Sequence, residues 1–464
     1  MIILTAFILS VTTPVYPGDS IQDALDSSTQ GDTVLVMPGT YQGTGEHLVS
    51  LTTEHNGIVL LGDELDPAQV VLSGDSLSDS IIDADCTGTS PLDSTMVISG
   101  FTFQNGNASA DAFGGAVHTK HCSPLIKNSR FIQCTADNGA AMYVWKGSAL
   151  IQNCLFQDNE CASAGAGIYL YNAGGSINSC VFQNNKSWDD GGGIYCYHSS
   201  PTIFNCLFTD GYAHDDGGGI YCYALSDPEI SFCTFYNNFA LYTGSAVYFR
   251  VNSSPILHHN IATANEAPAF YIQDGGNPVF MYNDVWGNPD GNYGNLPDPT
   301  GTAGNISTDP LFTANFFLSQ TQAGQTRQSP CVDAGDGPPA DYNLEMYWTR
   351  TDSVPDSVTV DMGYHHGPDT LWQSSPPNPQ TSQLNIYPNP TYGSVSVVLP
   401  ATGDYNLLEV YDLSGRRILS ETLYGRNTQA DLTEHNSTGT LLVRVSGESG
   451  SLTGKITIIK SGKR

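Results

Sequence analysis

Two kinds of side chain recur at a fixed interval, and they carry most of the chemistry that the sequence offers. Tyr143, Tyr169, Tyr195, Tyr221, Tyr248 and Tyr271 follow one another at that interval, with His118 leading them; two residues on, Trp145, Tyr171, Tyr197 and Tyr223 form a second series. Rings with a polar edge suit the apolar faces of sugars, and a row of them suits a long glycan. They also stabilise cross-strand neighbours on any sheet, by about 0.2–1 kcal/mol per pair. Asp189 and Asp190, and again Asp215 and Asp216, stand just before glycine runs one interval apart, with Asp137 two intervals earlier. Four carboxylates brought together can hold calcium, which takes roughly six to eight oxygens. They can also serve as the acid and base of glycoside hydrolysis. Asp before Gly also closes turns through its own side chain. Calcium is the one cofactor these residues suggest, and no metal ligand is assigned.

What positions these side chains is a repeat. The string DDGGGIYCY occurs at 189–197 and again at 215–223. A shorter echo (CLFQDN, CVFQNN, CLFTDG, CTFYNN) returns every 23 to 28 residues from Gly106 to Asn288. Within a lap the pattern alternates with period two, which is the strand signal. Ile194 and Cys196 then point one way, Tyr195 and Tyr197 the other. Glycine runs and Asn-rich ends mark turns. About three short strands per lap cannot close a core alone, but stacked laps can, each adding about 4.8 Å. The expected fold is all-β, a parallel β-helix, right-handed as parallel crossovers almost always are. A propeller blade needs about 40 residues per repeat, and a leucine-rich repeat wants leucine where this chain has Phe and Gly.

Charged residues make up 13% of the chain, yet its net charge is −30. From 384 onward there are 8 basic and 7 acidic residues, against 8 and 39 before it. So acidic a surface repels nucleic acid and anionic membrane. Residues 2–12, IILTAFILSVT, are too short to span a bilayer and read as the core of a signal peptide over 1–15. No other stretch is apolar enough to cross a membrane. Of the eleven cysteines, Cys154, Cys180, Cys206 and Cys233 share one slot and Cys196 and Cys222 another. Same-slot neighbours lie close enough to bridge. They serve equally as a ladder of buried free thiols.

Residues 16–41 hold a helix capped by Ser20 with Ile21, Ala24 and Leu25 on one face, then TVLVM and PGTY. This opening resembles the pectin-lyase-like superfamily; the GGA and FxxN laps also resemble the repeats of polymorphic outer-membrane proteins, and the closing DPLF, SPCVDAG and VDMGYH are similar to the closing segment of many secreted bacterial β-helix proteins. The resemblance covers 16–366: a helical N-terminal cap and irregular laps over 16–97, regular laps over 98–288, and a C-terminal cap over 289–366. A Pro/Ser/Gln linker follows over 367–383. Residues 384–464 read as a small Ig-like β-sandwich. Tyr387, Pro388, Asn389 and Pro390 at its start, and Asp412, Gly415 and Arg416 at its central turn, closely resemble the C-terminal sorting domain of type IX secretion cargo. That resemblance implies contact with the secretion machinery and an extracellular or outer-membrane-surface location.

The fold resemblance does not decide activity. Lyases of this superfamily use an Arg or Lys base beside calcium-binding acids. The laps offer Lys120, Lys127, Arg130, Lys146, Lys186 and Arg250, none in the slot of the aspartates. The Gly-His-Gly and Arg-x-Lys of the polygalacturonases are missing, and His198, His214, His258 and His259 show no metal-ligand spacing. The reading is a secreted or surface β-helix protein that binds glycan, or another surface ligand, without catalysis. Alternatives are a polysaccharide lyase or glycoside hydrolase using the Asp/Tyr face, and a structural or adhesive stalk.

Overall fold

A computed structural model describes residues 10–87, 95–108 and 113–368, and seven strands between 385 and 458. The chain divides into two compact units: residues 1–312 with 317–374, and residues 375–464 with 313–316. The first unit is a right-handed parallel β-solenoid.

Each regular lap visits four sheets in turn. The tyrosine sheet has ten strands, from Val49–Leu51 to Tyr293–Gly294. The isoleucine sheet has eleven, from Thr12–Val15 to Val279–Met281, and the phenylalanine sheet ten, from Gly39–Gln42 to Asp284–Trp286. A short sheet of five, Thr135–Asn138 to Phe239–Ala240, is the fourth side, which the expectation of three strands per lap missed. Its strands are two to five residues long, too brief for a period-two signal.

The interior is layered by slot. Ile98, Ile126, Ile151, Ile177, Ile203 and Ile230 enter from one sheet, and Phe103, Phe131, Phe156, Phe182, Phe208 and Phe235 from another. Those phenylalanines stack ring on ring at 4.7–4.8 Å between centroids, which is the strand spacing. Cys154, Cys180, Cys206 and Cys233 share a corner as free, buried thiols. Each Sγ lies 3.3 Å from a carbonyl of its own lap, those of Gln152, Asn178, Phe204 and Ser231. The one disulfide among the described residues joins Cys86 to Cys122, which sit in different slots of neighbouring laps.

The corners need left-handed backbone, which Asn and Asp tolerate best. Asn153, Ser179 and Asn205 occupy one corner at φ 48–52°, and Asp158, Asn184 and Asp210 the next at 52–56°. At the second corner buried asparagines continue across laps. Asn185 Oδ1 accepts from Asn159 Nδ2 at 2.8 Å, and Asn238 Nδ2 donates to Phe208 O at 3.0 Å and to Asn265 Oδ1 at 2.9 Å. Gly211 interrupts this ladder. In DDGGG, Gly191 and Gly217 have φ of +69° and +74°, and a side chain on Gly192 would strike the carbonyl oxygens of Gly218 and Tyr212.

At the N-terminus the helix Ile21–Asp26 is capped by Ser20, whose Oγ accepts from Asp23 N at 3.1 Å, and it buries Ile21 and Leu25. Residues Thr12–Val15 form the first strand, in register with 33–36. A leader over 1–15 would take this strand with it. The expected C-terminal cap also turns back along the side of the coil. Gly363 N reaches His259 O at 2.7 Å, Tyr364 N reaches Thr234 Oγ1 at 3.0 Å, and His365 N reaches Asn205 Oδ1 at 2.7 Å.

In the second unit, the strands 385–387, 394–398 and 427–431 form one antiparallel sheet. The strands 407–411, 417–422, 439–447 and 450–458 form another. Tyr387 ends the first strand. Pro388, Asn389, Pro390, Asp412, Gly415 and Arg416 lie outside the described residues.

Candidate functional site

The outer face of the tyrosine sheet carries both aromatic series as continuous rows. His118, Tyr143, Tyr169, Tyr195, Tyr221, Tyr248 and Tyr271 are register partners from lap to lap. Trp145, Tyr171, Tyr197 and Tyr223 form the second row, which Lys120 precedes and Arg250 follows. Alternation along each strand puts both rows on one face.

Stacking makes the two rows different. In the first, Tyr169, Tyr195 and Tyr221 lie 4.8–4.9 Å apart, centroid to centroid, so each ring face meets another ring. Tyr195, Tyr221 and Tyr248 are buried at 8%, 1% and 0% exposure, with Ala164 packed against them. This row is an external core, and its faces are closed to a sugar. Burial pushes up the phenols of Tyr143, Tyr169, Tyr195, Tyr221 and Tyr248, and neighbouring hydroxyls add to the effect at Tyr169 and Tyr195. The second row is half-buried. Tyr171 and Tyr197 stack at 5.0 Å, Tyr197 and Tyr223 tilt at 5.4 Å, and Trp145 meets Tyr171 edge-on. Lys120 and Lys146 lie over Trp145 at 5.3 and 5.6 Å, and Arg250 over Tyr223 at 5.9 Å. What this row offers outward is ring edges and phenol hydroxyls rather than open ring faces.

The aspartates line the glycine turns beside the first row. Asp215 N donates to Asp189 O at 2.9 Å, and Asp216 N to Asp190 Oδ1 at 3.2 Å. Asp216 Oδ1 in turn accepts from Thr243 N and Oγ1 at 3.0 and 2.8 Å, and His214 Nδ1 lies 2.9 Å from Asp215 Oδ1. These are the bonds of turn-closing residues. Burial, with the charges of Asp189 and Asp216, pushes Asp190 up to about 8. Asp189 and Asp216 also rise, burial first.

A carboxyl raised on folding favours the folded state while it keeps its proton. That stability is complete below the ordinary carboxylate range and lost as pH climbs through about 8. The thermal midpoint is therefore expected to fall from about pH 4 to about pH 8 and then level off, and Asp190→Asn to flatten the last part of that fall, above the value of about 7 at Asp361. An unchanged slope in the variant would remove Asp190 as the cause. Calcium seated among these carboxylates would abolish the fall, so melting with and without the ion reads its binding directly.

Arg250 comes closer to this face than the spacing indicated. Its Nη1 lies 3.4 Å from Tyr221 Oη and its Nε 3.2 Å from Asp274 Oδ2. The bond to Tyr221 comes first among the influences that raise Arg250, and burial comes first in raising Tyr221. A base must give up its proton, and both groups are held protonated. Of the other cations, Lys120 pairs with Asp85, Lys127 with Glu64 and Lys186 with Glu160. His258 and Glu229 lie 3.0 Å apart, and His259 and Asp336 3.2 Å apart, both away from the aspartate turns.

Asp333, Asp356 and Asp361 were not singled out by spacing, although VDAG and VDMG contain two of them. Their carboxylate oxygens lie within 4.8 Å of one another. Asp361 is buried and pushed up to about 7, by burial and then by Asp356. It accepts from Asp333 N at 2.7 Å, from Gln320 Nε2 at 3.1 Å and from Thr349 Oγ1. These bonds tie the C-terminal segment together.

Residues 75–214 and 205–305 match the family model described as a right handed beta helix region. Residues 385–460 match that of a secretion system C-terminal sorting domain. Among solved structures, the PL6 family alginate lyase AlyGC is similar at 12% identity and a TM-score of 0.23, over 69% of this chain and 57% of that one. A variant of the same enzyme gives 14% and 0.24 over the same shares. No curated protein matches the chain.

Proposed function

We propose that this chain, a right-handed parallel β-helix protein with a C-terminal secretion sorting domain, binds neutral glycan outside the cell without catalysing a reaction. The sorting domain indicates export to the cell surface or extracellular space. Among the described residues no helix is long and apolar enough to cross a membrane. The reading is carried by the half-buried row Trp145, Tyr171, Tyr197 and Tyr223, which repeats hydroxyls and ring edges at the lap spacing. The chain before residue 384, with 8 basic against 39 acidic residues, repels uronate chains and accepts uncharged ones. Arg250 and Tyr221, both held protonated, argue against a lyase base.

Neutral polysaccharide binding, followed by affinity electrophoresis, is expected to weaken at least tenfold in Tyr197→Ala. Polyuronate should be retained less than its neutral counterpart. Unsaturated product from a polyuronate, or new reducing ends from any glycan, would overturn the non-catalytic reading. Equal binding by wild type and Tyr197→Ala would displace the site.

A further inference from the structure

A cleft of about 810 Å³ opens on the outer face of the isoleucine sheet, beside the C-terminal segment. Its floor is one outward slot read across four laps: Lys127, Gln152, Asn178 and Phe204, each in register with the next. At about 4.8 Å per lap the floor is about 14 Å long. Ser176 and Thr202 are register partners in the sheet's other outward slot and line the same cleft.

Both ends are closed. At one, Glu64 Oε1 takes Lys127 Nζ at 2.9 Å and Asn128 Nδ2 at 3.0 Å, so the cleft's two ionic groups neutralise each other. At the other, Phe204 and Tyr347 pack against the cluster of Phe232, Leu344 and Val360. Along the floor, the side chains of Gln152, Asn178, Ser176 and Thr202 make no hydrogen bond to another described residue. Their surroundings show the contrast. Asn153 Nδ2 donates to Asn128 Oδ1 at 2.8 Å, Asn205 Nδ2 to Ser179 Oγ at 3.2 Å, and His258 Nε2 meets Glu229 at 3.0 Å. Four uncommitted polar side chains therefore face the cleft, beside Asn128, Asn153 and Ser179, which line it too but are already bonded.

Two amides and two hydroxyls offer both donors and acceptors without charge. An aromatic wall at one end adds a surface for a sugar ring. A peptide that binds by strand addition needs a free sheet edge, and these strands are already paired on both sides. A nucleic acid or a uronate would need uncompensated cations. We propose that this cleft is a second, separate binding site, for a neutral oligosaccharide of two or three rings, held between the Glu64–Lys127 pair and Tyr347. It does not rest on the tyrosine rows.

Calorimetric titration of the full chain with neutral gluco-, manno- and xylo-oligosaccharides tests this. A trisaccharide of at least one series is expected to bind, and its hexasaccharide no more tightly, because the cleft has ends. Gln152→Ala and Asn178→Ala should each weaken binding about tenfold, and Tyr347→Ala more, while Tyr197→Ala leaves it unchanged. Melting curves coincident with wild type show that the surface variants are folded. The proposal is overturned if no member of the panel binds, if the Gln152→Ala/Asn178→Ala double variant binds like wild type, or if affinity keeps rising beyond the trisaccharide. Loss in Tyr197→Ala alone would assign the sugar to the tyrosine rows instead.

Discussion

Phe208→Ala is expected to cost about 3–5 kcal/mol of unfolding free energy, the range for emptying a large buried aromatic site. The ring is fully buried, 4.7 Å from Phe182 on one side and 4.8 Å from Phe235 on the other. Removing it takes apolar area from the core and one stacking partner from each neighbour, and backbone hydrogen-bonded to both adjacent laps cannot close the gap. Stability in a stacked-repeat fold is close to a sum of lap and interface contributions. The same change breaks two interfaces at mid-coil, so urea denaturation should show a lower midpoint and a transition broadened or split into two. Tyr171→Ala, in the half-buried outer row, should cost under about 1 kcal/mol. If the two variants cost the same, the phenylalanine column is not what holds the laps together.

Asn238→Ala is expected to cost about 2–6 kcal/mol: the buried Gly211 N–H loses its partner, at about 1–3 kcal/mol, and the two bonds from the amide nitrogen, to Phe208 O and Asn265 Oδ1, go at about 0.5–1.5 kcal/mol each. Gly211 N donates to Asn238 Oδ1 at 3.0 Å, and Asn238 Nδ2 donates to Phe208 O at 3.0 Å. Alanine supplies neither. Asn238→Asp keeps an acceptor for Gly211 but no donor for Phe208, and adds a buried charge, so it should not rescue the loss. Thermal melts of the two variants decide it: recovery in the Asp variant would show that the Phe208 carbonyl does not need this amide.

The coil was legible because its period is strict. Ile194 and Cys196 inward and Tyr195 and Tyr197 outward follow from alternation alone, and the register pairs Tyr195 with Tyr221 as the 26-residue spacing requires. Side-chain depth on the outer face was not legible. Period two places Tyr195 and Tyr197 on one surface but cannot say that one is buried at 8% beneath its neighbours. That depends on Ala164, at the end of a strand of the short sheet, and on ring stacking, which closes the faces a sugar would have used. The thiol slots illustrate a second limit. Spacing allowed bridges, whereas in-register side chains stay a strand spacing apart and those cysteines remain free. The bridge between Cys86 and Cys122 joins neighbouring slots rather than one slot, since Asp85 is in register with Lys120 and Cys122 lies one position farther on. Arg250 was set aside because it shares no slot with the aspartates, yet a long side chain reaches Tyr221 in the preceding lap. The cleft on the isoleucine sheet depends on Glu64 and Tyr347, distant in sequence and outside the repeat.

All nine unbridged cysteines are buried, and burial pushes Cys134 and Cys161 up to about 12. Thiolate is the species that oxidants attack, and it is scarce here only while the laps are shut. Outside the cell the finished coil is therefore inert to disulfide exchange, whereas a molecule arriving half-wound exposes thiols just where oxidants meet it.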